Sequence, residues 1–393
     1  FEVTIIDKTE MKDGCSFGNA GIIVPSHSVP LASPGVIAQG IRWMFSASSP
    51  FFIRPRLDPD LLRWLWRFYR SCTKEHVERA TPVLRDFHLL SKSLYQEFAS
   101  KHGFAFDLEE RGSLMLYRTP KAEREEKDGA ESAYALGLHV SLLSPAQIKE
   151  LDPGTQCDVL GGILYHDDAH LYPGKFVLHL QEALKGLGVK FLTSHAVSGF
   201  QTVKDRITQI RFADGSVEEA KEVVLASGAW SGKLAKQLGI PLLIQDGKGY
   251  SVTLKNPVMR PAIPSILTEV RVAVTPMGDD LRIGGTLEVS NFSDKINDKR
   301  VSAILKAMTE YYPDFPMLDT GSVNIWHGYR PVSADGLPYV GRPQRYRNLI
   351  IAAGHAMLGM SLGPATGLLV SEIAQGTRSS LNMTLFSPDR HSN

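Results

Sequence analysis

Both ends of the chain alternate strand, small-residue loop and helix, whereas its centre reads as short strands and hairpins, and few folds accommodate that order. At the start, residues 1–7 (FEVTIID) predict a short buried strand ending on an acid, and residues 14–26 (GCSFGNAGIIVPS) predict a small-residue loop leading into a second apolar stretch. At the finish, residues 348–376 (NLIIAAGHAMLGMSLGPATGLLVSEIAQG) predict strand, glycine-dense turn and helix. Between them, Pro34 to Phe98 is mostly helical and aromatic-rich, with Trp43, Phe45, Trp64, Trp66, Phe68 and Tyr69. Strands follow over 104–118, then a charged helix over 121–136, a helix capped by Ser144 with Pro145 in its first position, and a helix over 175–187. Residues 189–230 predict a strand and a meander that turns at Ala213-Asp214-Gly215, with a last buried strand over 222–226. Residues 241–325 are strand-rich, with one helix near 298–311. An α/β unit interrupted by an α+β unit satisfies this order.

Length and charge narrow the function. A chain of 393 residues is too long for one compact core and implies two domains, interleaved if both ends belong to one of them. The net charge of +1 gives no electrostatic case for a nucleic-acid partner. Cys15, Cys72 and Cys157 are odd in number and widely spaced, so neither a disulfide framework nor a metal site is expected, and a cytoplasmic setting fits. No run approaches the roughly 20 apolar residues of a membrane span. The aromatic run from Trp43 to Tyr69 leaves two readings open, core helix packing and contact with a membrane surface, the inner face of the membrane in the second case.

Four segments carry chemistry. Asp7 ends the first strand where dinucleotide-binding units place a carboxylate for ribose hydroxyls. LASGAW (225–230) is a small-residue turn that lets backbone pass close to a bulky ligand. WHGYRPVSADGLPYVG (326–341) reads as a constrained loop, neither strand nor helix, presenting one guanidinium suited to a carboxylate. AAGHAMLGMSLGPATG (352–367) crowds glycines at a helix start, where main-chain N–H groups can face an electron-rich group.

In this order the four segments resemble the D-amino acid oxidase/dehydrogenase superfamily of FAD enzymes, with bacterial D-amino acid dehydrogenases nearest in pattern and glycine and sarcosine oxidases as relatives. The resemblance runs over essentially the whole chain. It implies a Rossmann-like α/β FAD-binding domain (1–80, 161–240 and 326–393) interleaved with an α+β, antiparallel-sheet substrate domain (81–160 and 241–325). It implies that Asp7 holds the adenosine ribose, that Ser16, Asn19, Ala20 and Gly21 lie by the flavin diphosphate and ring, and that Val197 contacts the adenine through its backbone. It brings Ala226, Ser227 and Gly228 near the cofactor and Gly328 and Arg330 to the flavin ring, with Arg330 binding the substrate carboxylate. Gly354, His355, Leu358, Gly359 and Met360 match the loop at the pyrimidine end of the flavin. The family's first strand and Gly-x-Gly-x-x-Gly turn are not in the sequence, and the usual glycine-to-acid spacing sets the expectation that about 20 to 30 residues before Phe1 carry them.

The activity so implied is hydride transfer from Cα of a small D-amino or imino acid to noncovalent FAD, giving an imine and then a 2-oxo acid. Tyr250 is a further pocket candidate. A 2-hydroxy acid oxidoreductase on the same fold and a cofactor-poor subunit of a larger complex are the competing readings. The electron acceptor is left open among oxygen, quinone and an electron-transfer protein.

Overall fold

The computed structural model describes residues 1–44, 49–290 and 292–391. Phe45 and the Trp43 side chain, both part of the aromatic run, lie outside the described residues. Two parallel pairings define the α/β part. Thr4–Ile6 runs beside Lys190–Leu192 with Thr4 opposite Lys190, and Val223–Leu225 runs beside Leu349–Ala353 with Val223 opposite Leu349. Parallel neighbours require a long crossover. Here much of the remaining chain is inserted between the members of each pair, which is why the two ends of the sequence meet.

The buried Asn348 joins this part to the antiparallel meander of Val197–Val203, Arg206–Phe212 and Val217–Glu219. Its Oδ1 accepts the Ile207 N–H at 2.9 Å, and its Nδ2 donates to the Ile207 and Lys221 carbonyls at 2.8 and 3.1 Å. Ile207, Phe212, Val223, Leu225, Leu349 and Ile351 close the apolar core around that junction.

The second part is a nine-stranded mixed sheet. In spatial order its strands are Ile325–Ser333, Ile244–Leu254, Asp280–Val289, Val272–Met277, Ser265–Leu267, Ser113–Tyr117, Gly161–Tyr165 and Val140–Leu143, with Phe51–Ile53 added to Asp280–Val289. One face is covered by helix Asp298–Tyr311, whose Val301, Ile304, Leu305 and Met308 pack on Val252, Leu267, Val274 and Ile283. At the Val140–Leu143 end, helix Pro120–Ala135 covers the other face through Ala122, Ala130 and Ala133 against Met115, Tyr117 and Ile163. The rest of that face borders a cavity.

Local signals in the sequence translate into the expected elements. Ser144 closes a reciprocal capping box with Gln147, and Pro145 opens the helix Pro145–Leu151. The turn at 213–215 carries Gly215 at φ 89°, a left-handed value that favours glycine. One element differs. Residues 325–333 form a strand rather than a loop, and Pro331 is tolerated there because the strand is an edge of the sheet and the missing N–H interrupts no inner ladder. A second difference concerns hydropathy. Helical residues Ala356–Gln375 are long and apolar enough by length and composition to cross a membrane. In the fold, Leu362, Ala365 and Leu369 of this segment are buried against Ala80, Leu84 and Phe87 of helix Lys74–Lys101.

Candidate active site

One cavity of about 2600 Å³ runs along strands Thr4–Ile6 and Val223–Leu225 and past the carboxyl ends of the parallel strands. Ligands of open α/β sheets bind in that position, and this volume exceeds the ~300–1000 Å³ of common small-molecule sites. Strand Thr4–Ile6 delivers Asp7, the chain beyond Leu192 delivers Val197, Leu225 is followed by Ala226, Ser227 and Gly228, and Ala353 by His355, Leu358, Gly359 and Met360; all line the cavity. Ser16, Asn19, Ala20, Gly328 and Arg330 line it as well. Gly21 and Gly354 stand behind the wall at φ 72° and 83°. A Cβ on Gly21 would lie 2.2 Å from the Leu171 carbonyl.

The loop through Ser16–Gly21 is held by the large sheet. Arg282, buried in strand Asp280–Val289, donates from Nη1 to the carbonyls of Phe17 and Asn19, both at 2.7 Å, and Ser251 donates to the Gly18 carbonyl at 2.9 Å. Gly18 is required by contact, since a Cβ there would fall 2.1 Å from the Trp326 ring. Asp7 is fixed at its strand end: its N–H donates to the Leu192 carbonyl at 3.0 Å, and its Oδ1 accepts the Thr9 N–H and hydroxyl at 2.7 and 2.8 Å.

Arg330 is placed by strand register. Directly paired residues share a sheet face. Trp326 pairs with Ser251 and Gly328 with Gly249. Ser251 pairs with Gly284, Gly284 with Ala273, and Ala273 with Ile266. Arg330 therefore stands at one end of a floor of small residues, Gly249, Ser251, Gly284 and Ala273. Its guanidinium lies across Gly249, where a Cβ would meet Nη1 at 2.1 Å, and Nη1 donates to the Thr286 carbonyl. No carboxylate pairs with it among the described residues. Desolvation brings its pKa down to about 10, so it remains a cation at neutral pH. A part-buried guanidinium that faces a cavity and pairs with no carboxylate of the described residues has the donor geometry that suits a carboxylate.

Alternate glycines at 247 and 249 were the sequence signal for this arrangement: glycine inside a strand marks a close approach. Gly249→Ala is expected to push the guanidinium off the floor and lower kcat/KM for an amino-acid substrate about 10- to 100-fold, with flavin content unchanged. Steady-state kinetics with flavin absorbance per chain checks this, and a wild-type kcat/KM would refute it.

Tyr250 and His355 also border the cavity, and the side chain of each has partners of its own. Tyr250 is opposite His327 and Gly285 in the register, on the face away from Arg330. Its side chain belongs to the core with Val252, Ile304 and Met308, and burial pushes its hydroxyl pKa up to about 12. Side-chain alternation along the strand thus removes Tyr250 from the Arg330 side. The His355 side chain is satisfied internally, Nε2 lying 2.9 Å from the Thr366 hydroxyl, which itself donates to the Leu362 carbonyl at 2.8 Å. Burial brings that imidazole down to about 4, so it is neutral, and it reaches the cavity wall as part of a turn.

At the far end of the floor, beyond Ile266 and Met115, the sequence reading missed a polar group. His27 Nδ1 lies 2.8 Å from the Ser26 hydroxyl, which donates to the buried Asp168 at 2.6 Å; Ser113 donates to the same carboxylate at 2.6 Å. Burial brings His27 down to about 4 and raises Asp168 to about 6. These residues are scattered over the sequence, and no local pattern links them.

The profile of FAD-dependent oxidoreductases, the DAO family, matches residues 1–373. The chain belongs to the DAO family. It is 31% identical over 394 residues to the D-amino acid dehydrogenase of Granulibacter bethesdensis, covering 97% of this chain and 92% of that one. It is 32% identical over 370 residues to the D-amino acid dehydrogenase of Methylobacterium radiotolerans, covering 92% and 87%. Its fold is similar to glycine oxidase from Geobacillus kaustophilus, with a TM-score of 0.78, 24% identity and coverage of 99% and 92%. It is also similar to L-proline dehydrogenase from P. horikoshii, with a TM-score of 0.68, 21% identity and coverage of 79% and 84%.

This DAO-family chain is an FAD-dependent amino acid dehydrogenase/oxidase, and its residues fit the cofactor. Helix Gly359–Gln375 begins at the cavity with no side-chain cap on its first N–H groups, which suits an electron-rich ring or phosphate. Gly228, at φ 55°, has open space where a Cβ would stand. Asp7 supplies a fixed carboxylate for hydroxyl groups at the parallel-strand end. An elongated dinucleotide is the ligand such a set of partners suits.

Proposed function

We propose that the enzyme oxidises the C–N bond of a D-amino or imino acid to an imine that hydrolyses to the 2-oxo acid. One observation carries this: Arg330, a cation that no carboxylate of the described residues pairs, faces the cavity of an FAD-dependent amino acid dehydrogenase/oxidase. FAD bound without a covalent link supplies the hydride acceptor. Arg330 holds the substrate carboxylate through paired N–H donors, with Thr286 fixing the guanidinium and Gly249 making room for it. The flat floor of Ser251, Gly284 and Ala273 leaves Cα and its substituents free of steric conflict beside that anchor. Asp7, Val197 and the 226–228 turn are assigned to the adenosine half, and the Ser16–Gly21 loop, Gly328 and the 354–360 turn to the flavin half. Because Gly161–Tyr165 and Ile325–Ser333 pair within the large sheet, we assign both strands to the substrate domain and move its boundaries outward past them.

A panel of D-amino, L-amino, imino and 2-hydroxy acids tests this reading through anaerobic bleaching of the flavin absorbance. Bleaching by D-amino or imino acids is the expected result. Bleaching by 2-hydroxy acids alone would overturn it.

A further inference from the structure

A buried cation stands behind the loop Ser16–Gly21. Arg282 lies two residues before Gly284 of the floor and rises from the same sheet face. It is 5% exposed and stands behind the cavity wall rather than in it. No carboxylate pairs with it among the described residues. Asp280, on the same strand, takes Lys255 at 2.5 Å and the Tyr172 hydroxyl at 3.2 Å instead. The guanidinium is held from below by Nε, which donates to the Thr253 hydroxyl at 3.0 Å. Its Nη1 is spent on main chain alone, on the carbonyls of Phe17 and Asn19.

Those two bonds fix which way the N–H groups of the loop point. A trans peptide sets its N–H opposite its C=O, and no peptide here is cis. The N–H groups of Gly18 and Ala20 therefore point away from Arg282, toward the cavity that both residues line. The alternate N–H groups are taken up inside the loop: Phe17 donates to the Gly14 carbonyl at 2.9 Å, Asn19 to the Ser16 carbonyl at 3.2 Å and Gly21 to Asn19 Oδ1 at 2.8 Å. Those of Gly18 and Ala20 have no acceptor among the described residues. A cation at the carbonyl end of a peptide polarises the N–H at its other end, so the pair suits an electron-rich group. Gly18 also lies against the Trp326 ring, and its carbonyl accepts the Ser251 hydroxyl. The two donors thus stand over the floor strands that carry Gly249 and Arg330. We propose that Arg282 is a positioning residue that turns the Gly18 and Ala20 N–H groups to the flavin ring and so stabilises the negative charge that the ring gains on reduction. The proposal rests on the assignment of the Ser16–Gly21 loop to the flavin half.

Three measurements on the holoenzyme test this: the two-electron potential against a reference dye, the affinity of the oxidised flavin for sulfite, which also leaves negative charge on the ring, and the Raman bands of the ring that report hydrogen bonding. The reductant is chemical and no amino acid is added, so the outcome is independent of the substrate assigned above. In Arg282→Met, reduction should become about tenfold less favourable, about 30 mV for a two-electron couple, and sulfite should bind about tenfold more weakly. The Raman bands should shift as the two donors are lost. Arg282→Lys should recover part of each change, because it restores a cation and a donor but not the hold on Thr253. Should Arg282→Met fail to fold or to retain flavin, Arg282→Lys carries the same three readings, displaced from wild type by a smaller amount. A flavin-loaded variant with wild-type potential and sulfite affinity would overturn the proposal. A lowered potential with unchanged Raman bands would also overturn it and assign the effect to charge alone. So would a loss of FAD affinity with potential and bands unchanged, the result expected if the two N–H groups serve the diphosphate.

Discussion

Arg330→Leu is expected to lower kcat/KM for the amino-acid substrate between about 10- and 1000-fold. A charge-assisted hydrogen-bonded pair in a desolvated site is worth about 1.5–3 kcal/mol, and misplacing the reacting carbon adds to that loss. Arg330 is held by the Thr286 carbonyl and faces the cavity with no carboxylate partner among the described residues, so its removal leaves none of them as a buried anion. Folding should survive and flavin absorbance per chain should stay near wild type. The loss should shrink severalfold for the decarboxylated amine, which never engaged the guanidinium. Arg330→Lys should recover only part of the activity, because an ammonium cannot offer the two parallel donors of the fork. Steady-state kinetics on amino acid and amine, with the flavin spectrum of each variant, decides the matter. Equal losses on both substrates, or a colourless protein, would assign Arg330 to structure alone.

Asp335→Ala is expected to cost about 3–5 kcal/mol of stability, the magnitude for stranding one member of a buried ion pair. Asp335 lies in the turn after the Arg330 strand and receives Arg390 from the C-terminal segment through two bonds, Nε to Oδ2 at 2.7 Å and Nη2 to Oδ1 at 3.0 Å. His391 stands 3.3 Å from Oδ2, the Leu337 N–H donates to Oδ1 at 3.1 Å, and the Arg390 guanidinium stacks on Tyr339 at 3.6 Å. The desolvation that would raise the Asp335 pKa is outweighed by Arg390 and His391, and the carboxyl is held far below the usual carboxylate range. Its folded pKa is therefore depressed, so its contribution is complete above the unfolded carboxyl value near ~4 and is lost as pH falls below it. Urea unfolding at pH 7 and at pH 3 should show the variant much weaker than wild type at the first pH and closer to it at the second. Replacing both partners, Asp335→Leu with Arg390→Leu, should recover a large part of the loss, since no charge is left unpaired. A variant within about 1 kcal/mol of wild type at pH 7 would mean that the pair is not what ties down the C-terminal segment.

Strands, turns and caps with strong local chemistry were legible in the sequence: the acid closing the first strand, the helix cap at Ser144, the hairpin at 213–215 and the strand–turn–helix of 348–376. The class of fold followed from their order, because parallel strands at the two ends of a chain have to be joined by whatever lies between them. The family, and FAD with it, could be read from the same segments. The strand nature of 325–333 could not be read. A Gly-Tyr-Arg-Pro run looks like a loop by local preference, and only pairing with Ile244–Leu254 makes it an edge strand that tolerates proline. The side of the sheet on which each residue falls was equally hidden. Tyr250 and Ser251 are neighbours in sequence, yet alternation sends one into the core and the other to the cavity floor. The support given to Arg330 by Thr286 and Gly249, the grip of Arg282 on the Phe17 and Asn19 carbonyls, and the Ser26–Asp168–Ser113 cluster join residues tens to hundreds of positions apart. The sequence determined which elements form and what chemistry they carry, because those properties are set within a few residues. Register and packing decided which side chains meet, because those depend on contacts that exist only once the sheets have closed.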